Sequence, residues 1–408
     1  MNKYDSYKDS GLEWIGEIPS HWNRKKLGYL VNLQGRIGFK GYKKTDFVNE
    51  GEGCRVIGGK HIDNNNKINL SNPDYLHWDK YYESPEIMVF KGDLIVSQRG
   101  TLGKVLMIED DYGPLTINPS LVVVNQIKEN TKFLWYSLQS DSIMKTIDIL
   151  GSVTTIPMLS QSEISNFPIL LPSKNEQQQI VQYLDNKTTL IDSLIEKTQK
   201  KIELLKEQRT SLINEVTTKG LNPNVEMKDS GVEWIGKIPS NWKISNLGFY
   251  TTKIGSGSTP RGGSEIYSDE GIPFIRSQNV HFEGLRMDDI SFIESDIHNR
   301  MKGSTVVKND LLLNITGGSI GRCCIVNLEG EMNVNQHVSI IRTTNKLLNY
   351  FLNYLLRSDI GQLQVRYNLT GGNREGLTIE GIRNFKITIP PITEQHQIVQ
   401  YLDKKTNL

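Results

Sequence analysis

Two stretches of this chain combine glycine, hydroxyl, amide and cationic side chains at the spacing of a ligand-binding loop: SQRGTLGK at 97–104 and NITGGSIGR at 314–322. Such loops can cradle a phosphate through backbone N–H groups, or present polar groups to the edges of nucleotide bases. The phosphate loop fails in detail, because Gln98 stands where a Walker A motif needs its first glycine. GSGSTPRGG at 255–263 fails as a dinucleotide loop, because Pro260 takes the third glycine position of G-x-G-x-x-G. Catalytic motifs fail similarly. Pro390-Pro391 follows Ile389, not the Asn or Asp of an N-P-P-[FY] motif, and Pro73-Asp74 lacks the [DE]-x-K of a common nuclease core. Cys54, Cys323 and Cys324 form no C-x-x-C pair for zinc. His281 and His337 read as ordinary surface or core groups.

What remains is recognition chemistry. Base edges need Arg, Lys, Asn, Gln or Ser, and phosphates need Lys, Arg or backbone N–H. In the first half of the chain the candidates are Lys40, Lys43 and Lys44 in a glycine-flanked loop, Lys60 and His61 after VIGG, and Ser97, Gln98, Arg99 and Lys104. In the second half they are Arg261, Arg276, Ser277, Gln278, Asn279, Asn314, Thr316 and Arg322, with Arg366 and Arg374 in Asn/Gly-rich surroundings.

Apart from Arg366 and Arg374, these candidates sit at matching places in a chain that is written twice. KDSGLEWIGEIPSHW at 8–22 returns as KDSGVEWIGKIPSNW at 228–242, and NEQQQIVQYLDNKTTL at 175–190 returns as TEQHQIVQYLDKKTNL at 393–408. Between these near-identical ends the copies agree mainly at apolar, Gly and Asp positions and differ at polar ones. That is the expectation for one fold reading two targets, with an identical partner surface holding the ends alike. Each arm, with its Gly, Pro and two Trp, reads as an extended segment pinned to a body by Trp14 and Trp22, or Trp234 and Trp242. Each body alternates short β runs (VIGG, LIVS, VLMI, LVVV; then FIRS, LLLN, CCIV, VSIIR) with turns, plus a helix over 133–142 or 348–360.

Residues 173–220 predict one long helix. Ser173 is its N-cap with Glu176 as capping-box partner, and Gly220 and Pro223 end it. Ile191, Ile195, Ile202, Leu205, Leu212 and Val216, with Thr198 and Arg209 between, step alternately by four and three, the period of a helix that packs along another. At ~1.5 Å per residue it spans ~67 Å. Its natural partner is the second copy, which reaches only Leu408, whereas the first continues from the matching Leu190 to Gly220. The distal helix therefore reads as cut short.

Composition permits this layout. The 408 residues suit two domains, and 37% apolar with 23% charged residues can fill two cores. The +1 net charge gives no overall basic excess. No apolar run approaches the ~20 residues of a membrane span. The polar N-terminus is no secretory signal, and three cysteines, two of them adjacent, fit a reducing cytoplasm.

The arm ending in Trp, the body ending in F-x-I-x-[LI]-P, the E-Q-x-x-I-V-x-Y-L-D helix start and the tandem layout together resemble the DNA-specificity subunits of type I restriction-modification systems. GSGSTPRGG, GIPFIRSQNV (271–280) and NVNQHVSIIR (333–342) add to the likeness, which covers essentially the whole chain. The resemblance implies mixed α/β target recognition domains in tandem, separated by long helices that form an antiparallel coiled-coil spacer with internal pseudo-two-fold symmetry. The segments are then an arm (1–22), a first recognition domain (23–172), the central helix (173–220), a linker and second arm (221–242), a second recognition domain (243–390) and the start of the distal helix (391–408). It also implies a bipartite, asymmetric DNA site and two adenine-N6 methyltransferase subunits. Motor-nuclease (restriction) subunits are further partners. S-adenosylmethionine, ATP and magnesium belong on those partners, with no cofactor, metal or catalytic residue in this chain. Two rivals remain: an enzyme carrying its own reader, and a non-catalytic two-domain adaptor that binds no DNA. A truncated, inactive specificity subunit is a third possibility.

Overall fold

The computed structural model describes residues 4–36, 41–151, 157–260, 266–370 and 376–406. The chain divides into two compact units, Met1–Ile195 and Glu196–Leu408.

The first unit is built on LVVV. Leu121, Val122, Val123 and Val124 are all fully buried, although a strand alternates its side chains. Both faces are covered. Val122 and Val124 join Leu94, Val96 and Val105 against helical Phe133, Leu134 and Ile143. Leu121 and Val123 join Ile95 and Leu106 against Ile57, Leu115 and Ile117. The result is three layers: helices, a four-stranded sheet and a five-stranded sheet. The inner sheet runs Val105–Met107, Leu94–Ser97, Leu121–Asn125, Asn32–Gly35, all antiparallel. In the outer sheet Gly53–Ile57 lies parallel to Leu115–Ile117.

The second unit repeats this plan. Its inner sheet orders Cys323–Ile325, Leu311–Asn314, Val338–Thr343 and Thr251–Ser256, and its outer sheet pairs Ile272–Ile275 parallel with Met332–Val334. Leu311, Leu313 and Ile341 face the helices, while Leu312, Val338 and Ile340 face the outer sheet. Cys54, Cys323 and Cys324 are core residues, and burial raises each thiol pKa, to about 11 for Cys54 and about 12 for Cys324. None is a thiolate at neutral pH.

Where each expected single helix was placed there are two: Thr131–Leu138 with Asp141–Gly151, and Asn349–Arg357 with Asp359–Tyr367. Ser358 starts a new helix by accepting the Gly361 N–H, and a Cβ on Gly361 would lie 2.4 Å from the Leu355 carbonyl oxygen. The corner needs that glycine.

Entry to and exit from each body share one ladder. Asn23–Lys26 pairs with Pro168–Leu171, and Lys243–Asn246 with Lys386–Ile389. The long helix runs Lys174–Lys219 and ends at Gly220, whose φ of +76° suits glycine. Ser173 Oγ accepts the Glu176 N–H as a cap. The Glu176 carboxylate is drawn to the arm instead of completing a capping box: it accepts from Tyr4, Trp22 and His21. At the N-terminal end Ile180 and Val181 pack on the first core, and at the C-terminal end Leu212, Ile213 and Val216 pack in the second. Leu190, Ile191, Leu194, Ile195, Ile202, Leu204 and Leu205 between them are 41–62% exposed.

Candidate nucleic-acid interface

In each unit the strand ends and their turns converge, and the hydrogen bonds gathering them match position by position. After the outer strand, Gly59–His61 and Ser277–Asn279 each make a single 3-10 turn. His61 Nδ1 accepts the Gly58 N–H at 2.9 Å, and Asn279 Oδ1 accepts the Arg276 N–H at 2.9 Å. A histidine and an asparagine thus close the same turn. Asn118 N–H donates to Ile57 O, and Asn335 N–H to Ile275 O, tying the next loop beside it.

The Gly loops join there. Ser97 N–H donates to Lys104 O, and Asn314 N–H to Arg322 O, closing each loop at its base. Arg99 bridges Met158 as Thr316 bridges Gly376. Gln98 N–H donates to Ser120 O, and Ile315 N–H to His337 O. In the second unit residues 257–260 also press in: a Cβ on Gly257 would lie 1.7 Å from Val334 O. One backbone frame therefore carries different tips at equivalent places: Lys60 and Gln278, Arg99 and Thr316, Pro119 and Gln336, Ser120 and His337.

The sequence candidates fall into distinct groups. Lys40, Arg261 and Arg374 lie outside the described residues. Lys43, Lys44, Lys60, Arg99, Gln278 and Arg366 are exposed, and Gln98, Lys104, Arg276, Ser277, Thr316 and Arg322 half-exposed. Lys60 pairs with Asp74 at 2.8 Å, and both side chains remain about half exposed. Gln278 Nε2 donates to Asp289. Lys104 Nζ donates inward to Ile62 O.

Four candidates are corrected to supporting roles, because their side chains are buried: His61 (3%), Ser97 (2%), Asn279 (2%) and Asn314 (0%). His61 and Asn279 lock the turns described above. Ser97 Oγ accepts the Lys104 N–H, and Asn314 Nδ2 donates to Ser277 O and Ser319 Oγ. Each shapes a loop and presents nothing outward. Val216 is buried in its own unit, in one core with Ile398 and Leu402 of the distal helix, while Ile191, Ile195, Ile202 and Leu205 stay exposed.

The sequence reading passed over one cluster. Thr259 Oγ1 donates to Gln336 Oε1, Gln336 Nε2 contacts His337 Nε2 at 3.1 Å, and His337 Nδ1 meets Thr316 Oγ1. Three loops meet in this polar chain. The signal was NVNQHVSIIR itself, in which two adjacent long polar residues precede a buried strand.

The repeated ends touch one another. Trp22 Nε1 donates to Glu176 at 3.1 Å, and Trp242 Nε1 to Glu394 at 2.9 Å. Gln177 and Gln395 accept the Asn130 and Leu348 N–H groups, and Tyr136 and Tyr354 donate to Asp185 and Asp403. Burial opposes ionisation of Glu176, but hydrogen bonds from Tyr4, Trp22 and His21 outweigh it and hold its carboxyl below the usual range. The same bond pushes the Tyr4 hydroxyl up to about 12.

A family model described as type I restriction modification DNA specificity domain matches residues 19–204 and 239–408. The chain is 24% identical over 400 residues to the type I restriction enzyme MjaVIII specificity subunit of Methanocaldococcus jannaschii, covering 97% of this chain and 85% of the relative. It is 24% identical over 410 residues to the EcoBI specificity subunit of Escherichia coli, covering 97% and 81%. A solved chain from work on complex assembly and conformational transition of the type I R-M system superposes with a TM-score of 0.66 at 18% identity, covering 95% and 91%. The HsdS subunit from Thermoanaerobacter tengcongensis superposes at 0.55 and 17% identity, covering 96% and 90%.

Proposed function

Since the chain belongs to the type I restriction modification DNA specificity family, we propose that it reads a bipartite, asymmetric DNA site, one half per unit, and scaffolds methyltransferase and motor-nuclease subunits around it. The carrying observation is the doubled frame with dissimilar tips. Two identical readers would favour a palindrome; Lys60, Arg99 and Ser120 in one unit against Gln278, Thr316 and His337 in the other favour unlike half-sites. Each good bidentate base contact discriminates by about 1–3 kcal/mol. Joining both readers in one chain raises the effective concentration of the second contact.

The chain supplies recognition and no chemistry of its own. S-adenosylmethionine, ATP and magnesium act on the methyltransferase and motor-nuclease partners. Residues 23–172 and 243–390 are the two recognition domains, residues 173–220 the spacer, and the exposed stripe from Leu190 to Leu205 its packing face for a second, antiparallel helix. No described helix is long and apolar enough to cross a membrane, and the work of such a complex places it in the cytoplasm. The test is a genome-wide adenine-methylation map in cells carrying this chain and its methyltransferase with no other modification enzyme. A split motif with a fixed gap is expected. A contiguous or palindromic motif, or methylation by the purified chain alone, overturns the proposal.

A further inference from the structure

An exposed glutamine ordinarily samples many rotamers, because holding a long side chain in one of them costs conformational entropy. Gln336 is exposed, yet both ends of its amide are held. Thr259 Oγ1 donates to its Oε1, and its Nε2 donates to His337 Nε2 at 3.1 Å. The imidazole therefore accepts at Nε2, carries its proton on Nδ1 and donates it to Thr316 Oγ1. The backbone below is fixed as well: Asn335 Oδ1 accepts the His337 N–H at 3.1 Å, and His337 O accepts the Ile315 N–H.

The fold does not need this side-chain chain. The first unit builds the same loop, with Asn118 Oδ1 accepting the Ser120 N–H at 3.0 Å and Ser120 O accepting the Gln98 N–H. Its tip residues are Pro119 and Ser120, and no amide stands where Gln336 does. The ordering of Gln336 is thus an addition made in one unit on a frame that closes without it.

An amide oxygen can accept two hydrogen bonds, and an amide nitrogen can donate two. Among the described residues each uses one. One acceptor and one donor remain side by side on a single planar group. In the major groove adenine offers the complement, an N6–H donor beside the N7 acceptor. Guanine offers two acceptors, N7 and O6, and would set its O6 against the amide oxygen. A phosphate offers acceptors only and gives no use to a held carbonyl oxygen.

We propose that Gln336 reads an adenine in the half-site bound by the second unit, through N6 and N7, with Thr259, His337 and Thr316 as positioning residues. This rests on the functional reading above and adds to it one side chain and one base.

The test uses the full chain with its purified methyltransferase partner and a library of duplexes carrying every single-base change in the two half-sites. Exchange of residues 243–390 identifies the second unit's half-site. Wild type should prefer adenine there at one position by roughly 5- to 150-fold. That position is not the methylated adenine, which must leave the stack to react. Gln336→Ala should remove most of this preference and leave every other position unchanged. Gln336→Glu should move it to cytosine, since a carboxylate accepts from cytosine N4; a side chain that only tied loops together could not make that switch. Placing 7-deazaadenine at the position should weaken wild-type binding and leave Gln336→Ala unmoved. His337→Ser, the first unit's residue, should lower the preference without changing the base preferred. A uniform loss over all positions in Gln336→Ala, a change in the first unit's half-site, or Gln336→Glu still selecting adenine overturns the proposal. A split motif that Gln336→Ala leaves intact overturns this inference alone. A wild-type chain with no sequence preference overturns the functional reading and the inference with it.

Discussion

Replacing Asn279 by alanine tests whether the interface is a rigid frame with exchangeable tips. Asn279 is 2% exposed; its Oδ1 accepts the Arg276 N–H at 2.9 Å, and its Nδ2 donates to Arg286 O at 3.0 Å and Asp289 O at 3.2 Å. Each such bond contributes about 0.5–1.5 kcal/mol net, so losing all three costs about 2–4 kcal/mol of local stability. At 1.36 kcal/mol per tenfold, the Arg276 amide should exchange its hydrogen roughly 30-fold to several hundred-fold faster. Asn279→His installs the residue the first unit uses, where His61 Nδ1 accepts the equivalent Gly58 N–H and Nε2 lies 3.2 Å from Asn72 O. It should recover at least half of the lost protection. Hydrogen exchange followed by mass spectrometry reads both variants at this peptide, and DNA binding should weaken at one half-site alone. Unchanged exchange in Asn279→Ala, or exchange in Asn279→His as fast as in the alanine variant, refutes the idea that one turn is locked by two chemistries.

Trp242 is fully buried while Trp22 is half-buried, so Trp242→Ala should destabilise its unit by about 3–5 kcal/mol and Trp22→Ala its own by clearly less; denaturant unfolding of the two variants checks the order. Arg342 holds Asp310 through paired 2.7 Å bonds, with Asp310 1% exposed. Arg342→Ala strands that carboxylate and should cost about 3 kcal/mol, the low end for a buried pair because Arg342 is partly solvated. Glu176 ionises below the usual 4.5, so its grip on the arm is complete above that value and is lost as pH falls through the lower folded pKa. The Trp22 indole N–H resonance should shift in that acid window in wild type and not in Glu176→Gln; a transition at or above 4.5 contradicts the assignment. Exchanging residues 243–390 for another body should change one half of the methylated motif, and Leu205→Asp should weaken assembly with partner subunits, as pull-down would measure.

The repetition was readable in the sequence because its ends are nearly identical, and the buried strands because LVVV and the LLL of LLLN are apolar. Polarity misled at His61, Ser97, Asn279 and Asn314. A polar side chain among turns looks the same in sequence whether it faces solvent or caps a buried N–H, and only the partner's position decides. Partners were the general difficulty: Trp22 and Glu176, like Trp242 and Glu394, lie more than 150 residues apart, and no local pattern joins them. The division of each short helix was hidden because Ser358 reads as helix interior until its backbone turns. Gln336 was passed over and His337 read as an ordinary group, since a lone histidine carries little signal until Thr316 is seen beside it.

Each body is entered and left through one antiparallel ladder, Asn23–Lys26 against Pro168–Leu171 and Lys243–Asn246 against Lys386–Ile389. The two cut points of a body are therefore neighbours in space although far apart along the chain. A body exchanged there meets one seam, four residues on either side, and must also keep the apolar face on which Ile180 and Val181, or Ile213 and Val216, of the long helix pack. For an engineer, the seam puts both grafting points of a body at adjacent backbone positions, with the helix-facing side of its core as the surface to preserve.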